Sequence, residues 1–224
     1  MKEDIRTIPI NDIFSEKKGC PFCTMEHMLE DIQVAYIVGD AMMEPNTRID
    51  TNKKGFCHRH FSMMQTEGKK LPNALILESH LQEIIDQIPK GKKPDKKFLA
   101  KIKELTQSCY VCDRIEGNMA HLMQIVFTEW KKGNELQNLY KEQPYICLEH
   151  YGKVVELASK NLKGKDLADF YDITTNLFKN YLVDLKADAT YFCSMFDYRN
   201  QDKDWGKSID VIERSVEFLT KEKP

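Results

Sequence analysis

Cys20-Pro21-Phe22-Cys23 recurs as Cys109-Tyr110-Val111-Cys112, and Cys57-His58-Arg59-His60 recurs as Cys147-Leu148-Glu149-His150. Thirty-three residues separate the Cys-x2-Cys from the Cys-x2-His in the first copy, and thirty-four do so in the second. Six of the seven cysteines fall in this pattern. Each copy offers three thiolates and one imidazole, a complete tetrahedral donor set for Zn²⁺. Sequence order pairs the donors as Cys20, Cys23, Cys57 and His60 in one site and Cys109, Cys112, Cys147 and His150 in the other. Two structural zinc ions per chain are expected, since four protein donors leave no coordination position for water.

Other readings of these residues compete with zinc. Free cysteines are often simply buried. The spacing of Cys20 and Cys23 also suits thiol–disulfide exchange, but that leaves the third cysteine and the histidine without a role. An all-sulfur iron–sulfur cluster would want cysteine where each copy has histidine. His58 adjoins Cys57, but its counterpart in the second copy is Leu148. His27 lies one helical turn after Cys23, but its counterpart is Glu116. His80 and His121 are expected to be packed or surface residues. Cys193 has no counterpart and is expected to be a small buried packing residue.

Around the motifs the pattern is helical. Asn11 or Asp12 is expected to cap a short helix through Phe14, ending at Lys17-Lys18-Gly19. Met25, Met28, Leu29, Ile32, Ala35 and Tyr36 recur at helical spacing and predict a helix over 24–38. Residues 40–55 carry Pro45, Asn46, Asn52 and Gly55 and read as a loop with at most a short turn at its start. Further helices are expected from Cys57 to Glu67 and over 71–88, the latter with Leu71, Ala74, Leu75, Leu77, Leu81, Ile84, Ile85 and Ile88 in one broad buried stripe. Residues 89–97 hold five lysines, two prolines and a glycine and read as a solvated linker. Helices over 98–105, 113–130 (with an extension toward Tyr140), 148–159, 166–185 and 209–219 follow. A short strand competes only at 189–195. The expected fold is therefore an all-α helical bundle built from two repeated zinc-clipped hairpin units. These cover 1–89 and 98–224 and pack as one domain.

Composition narrows the function classes. Hydrophobic residues make up 42% and charged residues 30%, the balance of a folded globular chain. A net charge of −2 argues against wholesale nucleic-acid binding, despite the lysine-rich 90–97 run. No run of eighteen apolar residues exists, so no membrane span is expected. The opening MKEDIRTIPINDIF lacks the apolar stretch of a secretory signal. A cytoplasmic location is expected, where paired cysteines hold metals or do redox chemistry rather than form disulfides.

Two polar groups stand apart from this scaffold: Glu44, Arg48 and Asp50, and Asp197, Tyr198, Arg199, Asp204 and Trp205. Brought together in a cleft they would suit a hydrolase or transferase, with arginines for an anion and carboxylates for acid–base work. Kept apart, they are ion pairs and caps that stiffen loops. The other function class is a binding module for a protein or small molecule, with the metals holding the scaffold. No phosphate-binding glycine loop, nucleophile elbow or metalloprotease helix motif is present. Oligomeric state is not written in the sequence.

Several of these stretches carry a family resemblance. They are Cys20-Pro21-Phe22-Cys23, Ala41-Met42-Met43-Glu44-Pro45 running on to Arg48, Thr51-Asn52-Lys53-Lys54-Gly55-Phe56-Cys57-His58-Arg59-His60, the segments 109–112 and 147–150, Phe196-Asp197-Tyr198-Arg199, and Trp205-Gly206. Together they resemble an uncharacterised bacterial family, domain of unknown function 6062, over nearly the whole chain. The resemblance implies a single bacterial protein with paired zinc-like motifs, and no particular activity.

Overall fold

The structure is a computed structural model that describes residues 7–222 except 67, 134 and 201. It is all-α, with no strand among the described residues. In chain order the helices are α1 (Ile8–Glu16), α2 (Pro21–Ile37), α3 (Pro45–Lys54), α4 (His58–Thr66), α5 (Lys70–Asp86), α6 (Lys96–Gln107), α7 (Tyr110–Lys132), α8 (Glu135–Lys141), α9 (Leu148–Asn161), α10 (Gly164–Ser194) and α11 (Val211–Thr220). Short 3-10 turns lie at Asp40–Met43, Tyr198–Asn200 and Gly206–Ser208.

Most departures from the expected elements have a local cause. Residues 45–54 form α3 rather than a loop, because Pro45 occupies the first turn, where a missing N–H costs nothing. Gly55 then ends α3 with φ of +62°, and a Cβ there would lie 3.2 Å from His80 Nε2. Thr7, not Asn11 or Asp12, precedes α1. Asp95 caps α6 by accepting from the Lys97 and Phe98 amides, which starts that helix inside the expected linker. The segment 189–195 is no strand: α10 runs through Ser194. Glu67, the expected end of the helix after Cys57, lies outside the described residues.

The chain divides into two compact units, and both divisions fall inside helices. One unit joins the chain up to Met25 with the chain from Ala120 onward; the other is Glu26–Met119. The first has an aromatic core. Phe14, Phe22 and Phe170 surround Tyr140, with ring centroids 5.7, 6.3 and 5.1 Å from it, and Trp130 meets Phe170 at 4.9 Å. Thr174 donates to the Phe170 carbonyl, and the Tyr140 hydroxyl meets Thr174 Oγ1 at 2.8 Å, so the buried phenol is satisfied. A second stack, Tyr145 on Tyr181 at 3.9 Å and Tyr151 on Phe178 at 4.3 Å, fixes α9 and the segment before it against α10. Cys193, expected in the interior, is exposed near the end of α10, where the neighbouring Phe192 takes the ring contacts with Phe196 and Trp205.

In the second unit α5 lies on α3 with its apolar side outward, against expectation. Its covered side carries Asn73, Ile76, Ser79 and His80. Asn73 donates to the Met64 carbonyl at 2.7 Å, and His80 Nδ1 donates to the Asn52 carbonyl at 3.0 Å. Arg48 reaches across to the Leu75 carbonyl at 2.8 Å. Leu71, Leu77, Leu81, Ile85 and Ile88 are left exposed, with Leu81 at 54% and Ile85 at 56%. In α2, after Pro21 and Phe22 at its start, the buried positions are Met25, Leu29, Glu30, Val34 and Ile37, so the stripe is rotated from the expected one and Ile32 and Tyr36 face solvent.

Candidate metal centres

All four motifs sit on one local geometry. Cys20, Cys57, Cys109 and Cys147 each stand immediately before a helix, namely α2, α4, α7 and α9. Their carbonyls accept the first helical bonds: Thr24 N to Cys20 at 3.2 Å, Phe61 N to Cys57 at 3.0 Å, Asp113 N to Cys109 at 3.1 Å and Tyr151 N to Cys147 at 2.8 Å. The partner residue three places on, Cys23, His60, Cys112 or His150, therefore sits in the first turn. There its side chain meets that of the residue before the helix, as His60 meets Cys57 and His150 meets Cys147. First-turn amides have no intrahelical acceptor, and at Cys109 the amides of Cys112 and Cys57 donate to the sulfur, favouring thiolate.

Two such helix starts meet at each centre, but not in the expected combination. Cys20 and Cys23 of α2 gather with Cys147 and His150 of α9, while Cys57 and His60 of α4 gather with Cys109 and Cys112 of α7. In each cluster the four candidate ligand atoms lie within 4.8 Å of one another. The second cluster is nested inside the first along the chain, and each falls within one compact unit. The cause is the helix that each Cys-x2-Cys begins. α2 has 17 residues and α7 has 23, so at about 1.5 Å per residue each carries the chain several turns away from its own cysteines before any Cys-x2-His can return.

The distances fit a cation. A tetrahedron with zinc–sulfur bonds of about 2.3 Å and zinc–nitrogen bonds of about 2.0 Å has edges of roughly 3.5–3.8 Å. In the first cluster Cys23 Sγ lies 3.5 Å from Cys147 Sγ, and His150 Nδ1 lies 3.2, 3.4 and 3.9 Å from Cys147, Cys23 and Cys20. In the second, Cys57 and Cys112 sulfurs are 4.0 Å apart, and His60 Nδ1 is 3.1, 3.2 and 3.5 Å from Cys57, Cys109 and Cys112. A disulfide would bring the sulfurs to about 2.05 Å; all seven cysteines are free.

Electrostatics point the same way, since three sulfurs this close compete to ionise. Hydrogen bonds from Cys20 and Cys23 hold the Cys147 thiol far below its usual pKa, and donating to Cys147 raises that of Cys23. At the second cluster burial opposes ionisation of Cys109, but His60 and the amides of Cys112 and Cys57 outweigh it and bring the thiol to about 6. Cys112, exposed as a residue but with its sulfur partly covered by the cluster, is pushed up by that covering and by the charges on Cys109 and Cys57. A dication among the sulfurs would remove this conflict by favouring every thiolate at once.

The second cluster has a further layer that sequence reasoning missed. With Nδ1 facing the sulfurs, His60 Nε2 lies 3.0 Å from Glu30 Oε1. Glu30 is buried, and the Arg59 guanidinium holds both its oxygens, at 2.7 and 2.8 Å. Burial works against the Glu30 carboxylate, but Arg59 and His60 outweigh it and hold its pKa near 2. Burial likewise opposes the His60 imidazolium, and the Cys109 and Glu30 contacts lift it to about 10. The available signal was a carboxylate four and eight residues before Val34 and Val38, in register with an apolar stripe. Around the cluster Tyr110 N donates to the Gly55 carbonyl at 2.9 Å, Ser108 donates to the Lys54 carbonyl at 2.7 Å, and Lys54 pairs with Asp113, tying the two helix starts together.

The other candidates fall outside these clusters. His27, His58 and His121 are exposed, and His80 is the half-buried donor already described. Arg48 is held by the Leu75 carbonyl, and Arg199 forks onto Asp197 at 2.6–3.2 Å. Arg48 thus joins α3 to α5 across 27 positions of sequence, whereas Arg199 makes the expected ion pair within its own loop. Among the described residues no helix is long and apolar enough to cross a membrane.

The model of a family of unknown function, DUF6062, matches residues 1–224, and the chain belongs to that family. No curated protein and no solved structure matches it.

Proposed function

We propose that this member of DUF6062 is a zinc-stabilised helical binding module, with Zn²⁺ held by Cys20, Cys23, Cys147 and His150 and by Cys57, His60, Cys109 and Cys112. The observation that carries the reading is the pair of Cys3His clusters with tetrahedral edge lengths, each set where two helix N-termini converge. The donor chemistry fits zinc: thiolate and imidazole are its commonest structural ligands, and four of them leave no place for a reacting water. The metals then act as clamps that hold helices in place, and the work is done at a surface. Seven cysteines outside any disulfide, six of them in the clusters, suit a reducing, cytoplasmic compartment.

The exposed α5 face supports a protein partner. A helix that spends its polar side on internal hydrogen bonds and presents Leu71, Leu77, Leu81 and Ile85 to solvent, with Ile88 just past its end, is shaped for the apolar side of another helix. A convex ridge of this kind offers a small molecule no enclosure.

Elemental analysis of protein purified under reducing conditions should give about two zinc per chain, from the ligand count. A folded protein free of metal would defeat the reading. Lysine at Leu81 and Ile85 together should leave zinc content and thermal midpoint within error, because both side chains are exposed, while sharply reducing the binding of an apolar dye. A large drop in the midpoint would show the face to be core.

A further inference from the structure

The two centres differ in how far solvent reaches their sulfurs. In the first, Cys20, Cys147 and His150 are 3%, 0% and 1% exposed, and Cys23 is half-buried. In the second, Cys109 and His60 are buried, but Cys57 is half-buried and Cys112 is exposed. The accessible pair is also a close pair, with Cys57 Sγ 4.0 Å from Cys112 Sγ. One sulfur stands before α4 and the other in the first turn of α7, so their side chains approach from separate helix starts. Closing about 2 Å to reach a disulfide is within the range of side-chain rotation.

We propose that the second centre is a peroxide-sensitive site, in which oxidation of Cys112 leads to a Cys57–Cys112 disulfide and release of its metal, while the first centre keeps its own. The proposal rests on the zinc reading and adds a regulated state to one of the two sites. The Cys112 thiolate attacks one oxygen of a hydroperoxide. An S–O bond forms and the O–O bond breaks, leaving Cys112 as a sulfenic acid, and the departing oxyanion takes a proton from water. The Cys57 thiolate then attacks the Cys112 sulfur. The S–S bond forms, the S–O bond breaks, and hydroxide leaves to be protonated. With hydrogen peroxide the balance is two thiolates, one peroxide and two protons giving one disulfide and two waters, the two electrons passing from sulfur to peroxide oxygen. Only Cys109 and His60 remain as donors, too few to hold zinc against water. The first centre is spared because none of its cysteines is exposed, Cys20 and Cys147 being buried and Cys23 half-buried, and thiolate oxidation follows access.

The experiment uses the full chain loaded with zinc. Hydrogen peroxide is added in small excess, zinc release is followed with a chelating dye, and the cysteines are mapped by differential alkylation and mass spectrometry. Cys193, an exposed thiol outside both clusters, reports access without metal. The expected result is loss of one of the two zinc ions on the order of tenfold faster than the other. A Cys57–Cys112 cross-linked peptide appears, Cys20, Cys23 and Cys147 stay reduced, and a dithiol with added zinc reverses the change. Zinc leaving both centres at one rate, or leaving without that cross-link, overturns the proposal and leaves the zinc reading intact. Protein that carries no zinc before peroxide is added overturns both.

Discussion

Replacing Cys147 with serine is expected to remove one zinc per chain, expose Cys20 and Cys23 to alkylation, and leave Cys57, Cys109 and Cys112 as protected as before. Cys147 supplies a buried thiolate to the centre that joins the starts of α2 and α9. Serine is a slightly smaller analogue of the same shape, but its hydroxyl does not ionise at neutral pH, so three donors remain. Structural zinc contributes on the order of 10 kcal/mol of apparent folding free energy, as much as the whole stability of an ordinary domain. The unit containing α1, α8, α9, α10 and α11 should therefore lose its cooperative melting transition, or show it many degrees lower. The pattern of alkylation carries the sharper information. If Cys109 and Cys112 became reactive in place of Cys20 and Cys23, the sequential grouping of donors would be correct and the crossed one wrong.

The crossed grouping also shows what sequence could and could not supply. The eight candidate donors were legible because the chemistry is local: a residue before a helix and one in its first turn meet whatever the rest of the chain does. Their partnership was not legible, because it is decided at long range. Loop-closure entropy grows only logarithmically, about 0.6 kcal/mol per doubling of the loop, so a bridge spanning 124 positions costs only about 1 kcal/mol more than the Cys23–Cys57 span of 34. Helix length decides instead, since α2 and α7 lead the chain away from the cysteines that start them.

Other elements follow the same division between local and distant causes. Periodicity marked α2, α5, α7, α9 and α10, and alternation of period two was almost absent, so the class was readable. α3 was hidden because Pro45 marks a loop and a helix start equally well. The orientation of α5 was hidden because its polar residues, not its leucines, find partners on α3 and α4. Asn73, Ser79 and His80 look like solvent-facing residues until the carbonyls of Met64 and Asn52 are placed beside them.

Glu30 to alanine is expected to weaken zinc at the second centre by about 10- to 100-fold, the usual effect of removing the outer partner of a ligating histidine. Glu30 fixes the proton of His60 on Nε2, which leaves the Nδ1 lone pair for the metal, and it holds the ring in the orientation that faces three sulfurs. Alanine would leave a buried Nε2–H without its acceptor and release Arg59 from its bidentate anchor. Glutamine at the same position keeps a carbonyl oxygen for Nε2–H but loses the charge, so its effect should fall between alanine and the native residue. Competition with a zinc chelator of known affinity measures this directly, and the ion of the first centre, whose ligands Glu30 does not contact, serves as the internal reference. Equal affinity in the native and alanine proteins would reduce the Glu30–His60 contact to simple packing. A loss confined to the second centre and graded from glutamine to alanine would mark Glu30 as the residue that orients the ligand, a role that general destabilisation of the fold does not reproduce.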